Sequence, residues 1–385
     1  MSAGAVRGGK PGFYEFFAGG GMVRAGLGAD WRCLFANDID ARKAESYAGA
    51  WGADALRVGD VHALRPADLP GAADLAWASF PCQDLSLAGA GRGLSGARSG
   101  AFWGFHGLLA GLAAEGRAPR LVAIENVVGL VTSHGGRDFA ALCDALSRLG
   151  YVVGAMTVDA AHFTPQSRPR LFVVAARDPD PALVAPAPSP DWASPALMRA
   201  VAALPQEARA AWRWWRLPAA PRRNVDLADL VERDPQGVRW DAPEQTARLL
   251  ALMSPLNLAR VEAARAAGGF RVGALYRRTR RDATGQRQQR AEARFDGLAG
   301  CLRTPAGGSS RQSLLIVEDG GVRSRLVSPR EAARLMGLPE SYALPARAND
   351  AYHLLGDGVV VPVVRFLSEH LLLPLLAAAR GRDAA

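Results

Sequence analysis

Cys82 stands in Phe80-Pro81-Cys82-Gln83, directly after the apolar run 74–80. A continuous apolar run reads as a strand covered on both faces. The loop at the carboxyl end of such a strand is where open α/β sheets bind ligands. A thiol there is a candidate nucleophile, although burial as a small hydrophobe is the usual fate of a free cysteine. Glu125-Asn126-Val127 ends the next apolar run, so a carboxylate emerges at the same edge as a candidate acid partner. Gln166-Ser167-Arg168-Pro169-Arg170 opens a further run, 170–176. Two arginines two apart at a strand start point the same way, which suits clamping an acidic ligand or holding the carboxylate; a solvated basic turn is the plainer alternative. Phe16-Phe17-Ala18-Gly19-Gly20-Gly21 is a strand running into a glycine turn, which lets a ligand approach the backbone at a helix start. Asp38 ends the second strand, where an acid can bind ribose hydroxyls. No Gly-Lys-Ser/Thr follows the glycines, which argues against a phosphate-loop ATPase.

The elements that must position these residues alternate. Strands are expected at 13–17, 33–36, 74–80, 121–125, 151–158 and 170–176, with helical patterns between them, one of them 139–149 ending at Gly150. This order predicts an α/β doubly wound sheet. Composition shifts near residue 178 into a Pro/Ala-rich stretch that reads as a linker. A second domain is expected over 178–321, with 1–177 and 322–385 forming the first. Ser328, Pro329 and Glu331 predict an N-capped helix with a capping box. The stretch 358–376 reads as one buried helix with Pro362 in its first turn.

The chain has 385 residues, 49% hydrophobic and 22% charged, which argues against a disordered chain. No apolar run reaches the length expected of a membrane span, and the amino terminus has no apolar core typical of a secretory signal. Cys33, Cys82, Cys143 and Cys301 form no CxxC pair, and no His or Cys stands at ligand spacing to His162, so neither a metal nor a disulfide framework is expected. A reducing cytoplasm fits. The net charge is +9, and every basic residue except Lys10 and Lys43 is arginine. Either G+C-rich codon usage or a polyanionic partner accounts for this.

FFAGGG, ANDID, Gly59-Asp60, FPCQDLS, ENV, QSRPR and a late GDGV occur in one order. In that order and spacing the chain resembles the DNA (cytosine-5) methyltransferase family, of the bacterial modification-methylase type. The match covers 13–176 and about 322–375. The resemblance implies a Rossmann-like S-adenosylmethionine-dependent methyltransferase fold with a second, smaller DNA-recognition domain. It implies that Cys82, flanked by Pro81 and Gln83, attacks C6 of a cytosine flipped out of duplex DNA, and that C5 takes a methyl group from S-adenosylmethionine. Glu125 matches the carboxyl group that bonds cytosine N3 and its amino group. Asn126 would order the Cys82 loop, and Arg168 and Arg170 match the arginines at the base O2 and the surrounding polar network. Phe17, Gly19, Gly21, Asp38, Ile39, Asp60, Val61, Phe80 and Phe102, with Asp357 and Val359 of the late motif, match the cofactor set. The segment 87–100 matches the family's mobile loop, and Ser86, Arg92 and Arg98 suit backbone contacts.

Two departures stand out. Met22 replaces a usual second glycine, and Asp357 replaces a usual asparagine, so an S-adenosylmethionine analogue is one alternative. An RNA cytosine-5 methyltransferase and a DNA-binding regulator without catalysis are others. The family reads sequence with the variable segment, which here holds Trp212-Arg213-Trp214-Trp215-Arg216 and eight arginines within 271–294. Arg277, Arg278, Arg280 and Arg281 are expected to contact DNA. A monomer is the expected state.

Overall fold

A computed structural model describes residues 9–80, 100–281, 285–304 and 311–383. Contacts divide the chain into two compact units, Met1–Val158 with Pro169–Ala220 and Val363–Ala385, and Asp159–Arg168 with Pro221–Pro362. The expected division at 178 and 321 follows the change in composition, whereas the contacts divide elsewhere.

The first unit is built on a seven-stranded sheet. Its strands are β1 (Gly12–Phe16), β2 (Arg32–Asp38), β3 (Leu56–Val58), β4 (Leu75–Ala78), β5 (Leu121–Val127), β6 (Val152–Asp159) and β7 (Pro169–Ala176), in the order β3-β2-β1-β4-β5-β7-β6. β1, β4 and nearly all of β5 are buried on both faces, as their largely apolar sequences favour. β3 through β5 run parallel, while β7 is antiparallel to β5. The connection 160–168 is too short for the crossover that a parallel β7 would need. β3 was not expected: it has three residues, two of them exposed, and so leaves no apolar signature.

Helices α1 (Met22–Leu27), α2 (Ala41–Trp51), α3 (Ala101–Ala114), α4 (Arg137–Arg148) and α5 (Pro195–Ala202) belong to this unit. α4 buries Phe139, Leu142, Cys143 and Leu146 at helical spacing and closes before Gly150, whose φ of 84° only glycine adopts readily. The tryptophan-rich segment belongs to the core. β8 (Val184–Ala185) pairs with β9 (Trp214–Trp215), Trp215 Nε1 donates to the Val174 carbonyl at 3.0 Å, and Trp212 packs edge-on against Phe139. Arg213 and Arg216 donate to nearby backbone carbonyls. Large rings drive Trp212 and Trp215 inward, while Arg213 and Arg216 stay exposed.

The carboxy-terminal stretch is not one helix. An α-helix over Val361–Leu367 passes into a π-turn, Ser368–Leu372, and then into a second α-helix, Leu373–Asp383. Pro374 has no N–H to continue the ladder and its ring crowds the preceding turn, which the wider turn relieves. Trp31 Nε1 donates to Ser368 Oγ at 2.8 Å and Trp192 packs on Phe366, holding this stretch on the first unit. The span 348–378, in which helix Ala348–Asp357 precedes the helices just described, is apolar and long enough to cross a membrane by length and composition, unlike any single apolar run in the sequence; 61% of its most apolar window is buried inside the protein, as in a core helix.

The second unit holds an antiparallel sheet of β10 (Arg271–Arg281), β11 (Arg287–Arg294), β12 (Ser313–Glu318) and β13 (Gly321–Leu326), in the order β11-β10-β12-β13. Helix Pro255–Ala267 packs Val261 and Ala264 against Leu275, Ala291, Ala293, Leu315 and Val317. Ser328 caps helix Pro329–Leu335 with the expected capping box. Glu331 also takes a bidentate pair from Arg325 at 2.7 and 2.8 Å, with both side chains fully buried.

Candidate active site

Strand register lines up the candidate residues of the first unit. Asn37, Phe16, Ala78 and Ile124 are successive Cα partners across β2, β1, β4 and β5. Phe17, Asp38, Phe80 and Glu125 each lie one or two residues beyond that line, at the carboxyl edge where parallel sheets bind ligands. Val58 pairs with Asp38, which brings Gly59-Asp60 to the same edge.

The glycine turn is tightly determined. Phe17 has φ 59°, a left-handed conformation that is strained for a bulky residue. The Gly19 amide donates to Asp38 Oδ2 at 2.7 Å, and the Asp40 amide donates to Oδ1 at 2.8 Å. A Cβ at Gly19 would meet nothing within 4 Å, so open space adjoins the backbone there. Gly21 (φ 76°) faces the other way: a Cβ would lie 2.4 Å from Trp51 Nε1, which itself donates to the Gly20 carbonyl at 3.1 Å. Ile39, next to Asp38, is 67% exposed, an uncovered apolar side chain at the sheet edge. Asp60 caps the turn at Val61 through His62 N, and Val61 is buried. Phe17 and Phe102 pack against Phe80, with ring centroids 6.3 and 5.7 Å from it. Met22 is buried at the start of α1.

Two polar groups stand beside β4. Asn126 is buried; its Nδ2 donates to the Phe80 carbonyl at 3.1 Å, and its Oδ1 accepts from Val127 N. Glu125 is buried, with Oε1 3.1 Å from Arg170 Nε. Pro81, Cys82, Gln83, Ser86, Arg92 and Arg98 lie outside the described residues. The chain is fixed at Phe80, two residues before Cys82, by the Asn126 bond.

Arg168 does not act as a twin of Arg170. In the second unit its guanidinium donates to the carbonyls of Leu302, Gly356 and Gly358 at 2.9, 2.9 and 2.7 Å. Buried carbonyls that would otherwise be orphaned absorb its donors. Gln166 is likewise buried, donating to Leu335 O and accepting from Leu302 N. Asp357 Oδ1 accepts from the Thr304 hydroxyl at 3.0 Å, and Val359 is buried. Gly356 packs so close to residues 303–304 that a Cβ would lie 2.7 Å from Thr304 N.

Sequence reasoning missed three supports. Asn37 Nδ2 holds the carbonyls of Arg57 and Gly59, setting the approach to Asp60. Trp51 braces the glycine turn from behind. Glu15, in the middle of β1, is fully buried; neither of its oxygens has a hydrogen-bond partner, and burial pushes its pKa up to about 8. A carboxylate inside an apolar strand was the available signal. Among the described residues no group of three His, Cys, Asp or Glu side chains is placed to hold a metal.

A Rossmann-like sheet with a glycine turn, two edge acids and a buried Glu–Arg pair defines an α/β methyltransferase framework. The profile of the family described as C-5 cytosine-specific DNA methylase matches residues 12–372, and the chain belongs to that family. It is 26% identical over 369 residues to the type II methyltransferase M.NlaX of Neisseria lactamica, covering 95% of this chain and 97% of that one. It is 25% identical to M.BsuFI of Bacillus subtilis over 95% of this chain and 75% of that one. Among solved structures it is similar to the S. pombe Dnmt2 methyltransferase, with TM-score 0.57 and 18% identity over 95% and 99% of the two chains. A putative DNA modification methyltransferase encoded within an E. coli prophage gives TM-score 0.51 and 16% identity over the same shares.

Proposed function

We propose that the chain methylates C5 of a cytosine flipped out of a specific duplex DNA site, through a covalent bond between Cys82 and C6. Membership of the family carries the reaction class. What supports the residue assignment is the pair of contacts beside β4: Asn126 bonded to Phe80 O, and Glu125 paired with Arg170.

Cys82, as thiolate, bonds to C6 and pushes electron density onto C5. A free thiol has a pKa of about 8.5, so its surroundings must favour the thiolate. Glu125, oriented by Arg170, bonds N3 and the exocyclic amino group, which draws density from C6 and favours attack. S-adenosylmethionine supplies the electrophilic methyl group that C5 acquires. A solvent base then takes the C5 proton, the C6–S bond breaks with its electron pair going to sulfur, and Cys82 departs as thiolate while the ring regains aromaticity. Asn126 keeps the segment entering Cys82 in register. Two other cysteines are poor nucleophiles: burial raises the pKa of Cys143 and Cys33.

The residues at the edge fit S-adenosylmethionine. The open space at Gly19 admits a ligand to the backbone, Ile39 offers an uncovered apolar face, and Asp60 an exposed carboxylate. Phe17, Gly19, Gly21 and Asp38 would hold the amino-acid and ribose parts; Ile39, Asp60, Val61, Phe80 and Phe102 would surround the base. The resemblance adds Asp357 and Val359 of the late motif to the cofactor set. The second unit would read the duplex sequence, and the enzyme would act in the cytoplasm, on DNA.

The test is nucleoside mass spectrometry of DNA from a host without cytosine methylation, expressing wild type or Cys82→Ala. 5-Methylcytosine in the first and not the second is expected. Unmodified DNA with folded wild-type protein overturns the proposal and turns attention to tRNA; a heavier cytosine adduct replaces the cofactor assignment.

A further inference from the structure

β10 outruns the sheet that carries it. It pairs with β12 only over Arg271–Leu275, but with β11 over Ala274–Arg281. From Tyr276 onward it therefore continues as a two-stranded ribbon, anchored at its root by Leu275, Ala291 and Ala293 in the core beneath helix Pro255–Ala267. Arg277, Arg278, Thr279, Arg281, Arg287, Gln288, Gln289 and Arg290 are all exposed, so both faces of the ribbon are wet.

Directly opposed residues share a face. Arg278 stands opposite Arg290, and Arg281 opposite Arg287. Opposed like charges destabilise a strand pair, and a lone two-stranded ribbon is marginal to begin with. A polyanion between the arginines relieves that repulsion.

The two faces differ in how far their donors are committed. On one, Arg278 is paired with Glu292 at 3.3 Å and lies over the Tyr276 ring. The other carries Arg277, Thr279 and Arg281 with Gln289 and Arg287. There Arg281 donates to Gly285 O, while the side chains of Arg277, Thr279, Gln289 and Arg287 make no hydrogen bond or ion pair among the described residues. Arginine, threonine and glutamine are the side chains that read guanine, the thymine methyl group and adenine in the major groove, which admits a two-stranded ribbon. At about 3.4 Å per residue, Tyr276 to Arg281 spans roughly 17 Å, enough to reach the floor of a groove about 8.5 Å deep.

We propose that this ribbon enters the major groove of the substrate duplex with the Arg277–Thr279–Gln289–Arg287 face toward the base edges, making Thr279 and Gln289 determinants of the recognised sequence. The proposal rests on duplex DNA being the substrate.

Wild type, a Thr279→Ala/Gln289→Ala double variant and an Arg277→Gln/Arg287→Gln double variant are expressed in a host without cytosine methylation. Their target sites are read by bisulfite sequencing. Binding to a duplex bearing the wild-type site is measured against salt. All four positions are exposed, and thermal melting checks that the variants remain folded. The Thr279/Gln289 variant should accept sites altered at one or two positions, losing about tenfold or more in discrimination with its salt slope unchanged. The arginine variant should lose up to about 2 units of salt slope, or relax a guanine position. Variants that keep both the wild-type site and its slope overturn the ribbon proposal alone. Wild-type protein that neither methylates nor binds duplex DNA removes the DNA assignment, and the ribbon with it.

Discussion

Replacing Glu15 by Gln should change how stability depends on pH. Glu15 lies in β1, fully buried, under the turn that begins at Phe17. Its oxygens face the first-turn amides Val23 and Arg24 but complete no hydrogen bond. The nearest cation, Arg24, is engaged elsewhere: its Nη1 donates to the Tyr47 hydroxyl at 3.1 Å and its guanidinium lies 5.1 Å from the Trp51 ring. Asp38 adds like charge. Burial therefore keeps the carboxyl neutral, raising its pKa from 4.5 to about 8. The folded chain then binds close to one proton more than the unfolded chain throughout that window. From this group alone, stability should fall by about 1.4 kcal/mol per pH unit, on the order of 5 kcal/mol from the unfolded to the folded pKa. Below the window both states are protonated, and above it both are ionised, so the slope vanishes at each end. Glu15→Gln is nearly isosteric and neutral at every pH, so its stability relative to wild type should rise steadily between pH 5 and 8. Denaturant unfolding of the two proteins at pH 5, 6, 7 and 8 measures this. A stability difference that stays constant across the series would show that Glu15 is ionised and paired in the fold.

Cys82→Ser should abolish methyl transfer while leaving duplex binding near wild type, as mobility shifts would show; lost binding would mean that Cys82 has another role. Asp357→Asn keeps an acceptor for the Thr304 hydroxyl and removes a charge. With the proposed cofactor at the late motif, it should tighten S-adenosylmethionine binding by about 1 kcal/mol, or roughly fivefold, in calorimetry; unchanged affinity would take residue 357 out of the cofactor site. Glu331→Gln strands the buried Arg325 guanidinium and should cost about 3–5 kcal/mol in denaturant unfolding. A cost under about 1 kcal/mol would show that the pair contributes little beyond packing.

How far the site was legible follows from where each signal sits. Phe17, Asp38, Glu125 and Asn126 follow apolar runs, and a parallel sheet brings the ends of such runs to one edge, so local pattern sufficed. Arg168 failed that test. Spacing two apart from Arg170 says nothing about carbonyls at 302, 356 and 358, which only the folded turn exposes to its guanidinium. β3 was hidden because its stability comes from pairing with β2 and from Asn37 rather than from apolar content. Trp212–Arg216 was misplaced because composition cannot tell a tryptophan that fills a core from one that faces a ligand; its hydrogen bonds can. Pro374 was the visible warning that the last helix would not run straight.

The abundance of arginine is ambiguous in the sequence because codon usage and a polyanionic partner produce the same count. Partners separate the two. Arg168, Arg213, Arg216 and Arg325 are bound to carbonyls or a carboxylate and act as struts within the fold. A substitution driven by codons alone has no reason to set Arg278 opposite Arg290 and Arg281 opposite Arg287 on a ribbon with so little else to hold it. Repulsion of that kind persists only where something outside the chain compensates for it. The ribbon should therefore be the part of the molecule whose order depends most on ionic conditions. Hydrogen exchange of the β10–β11 amides beyond Tyr276 should slow as salt is raised in the free protein, and slow further on duplex binding. Exchange insensitive to both would return these arginines to codon usage.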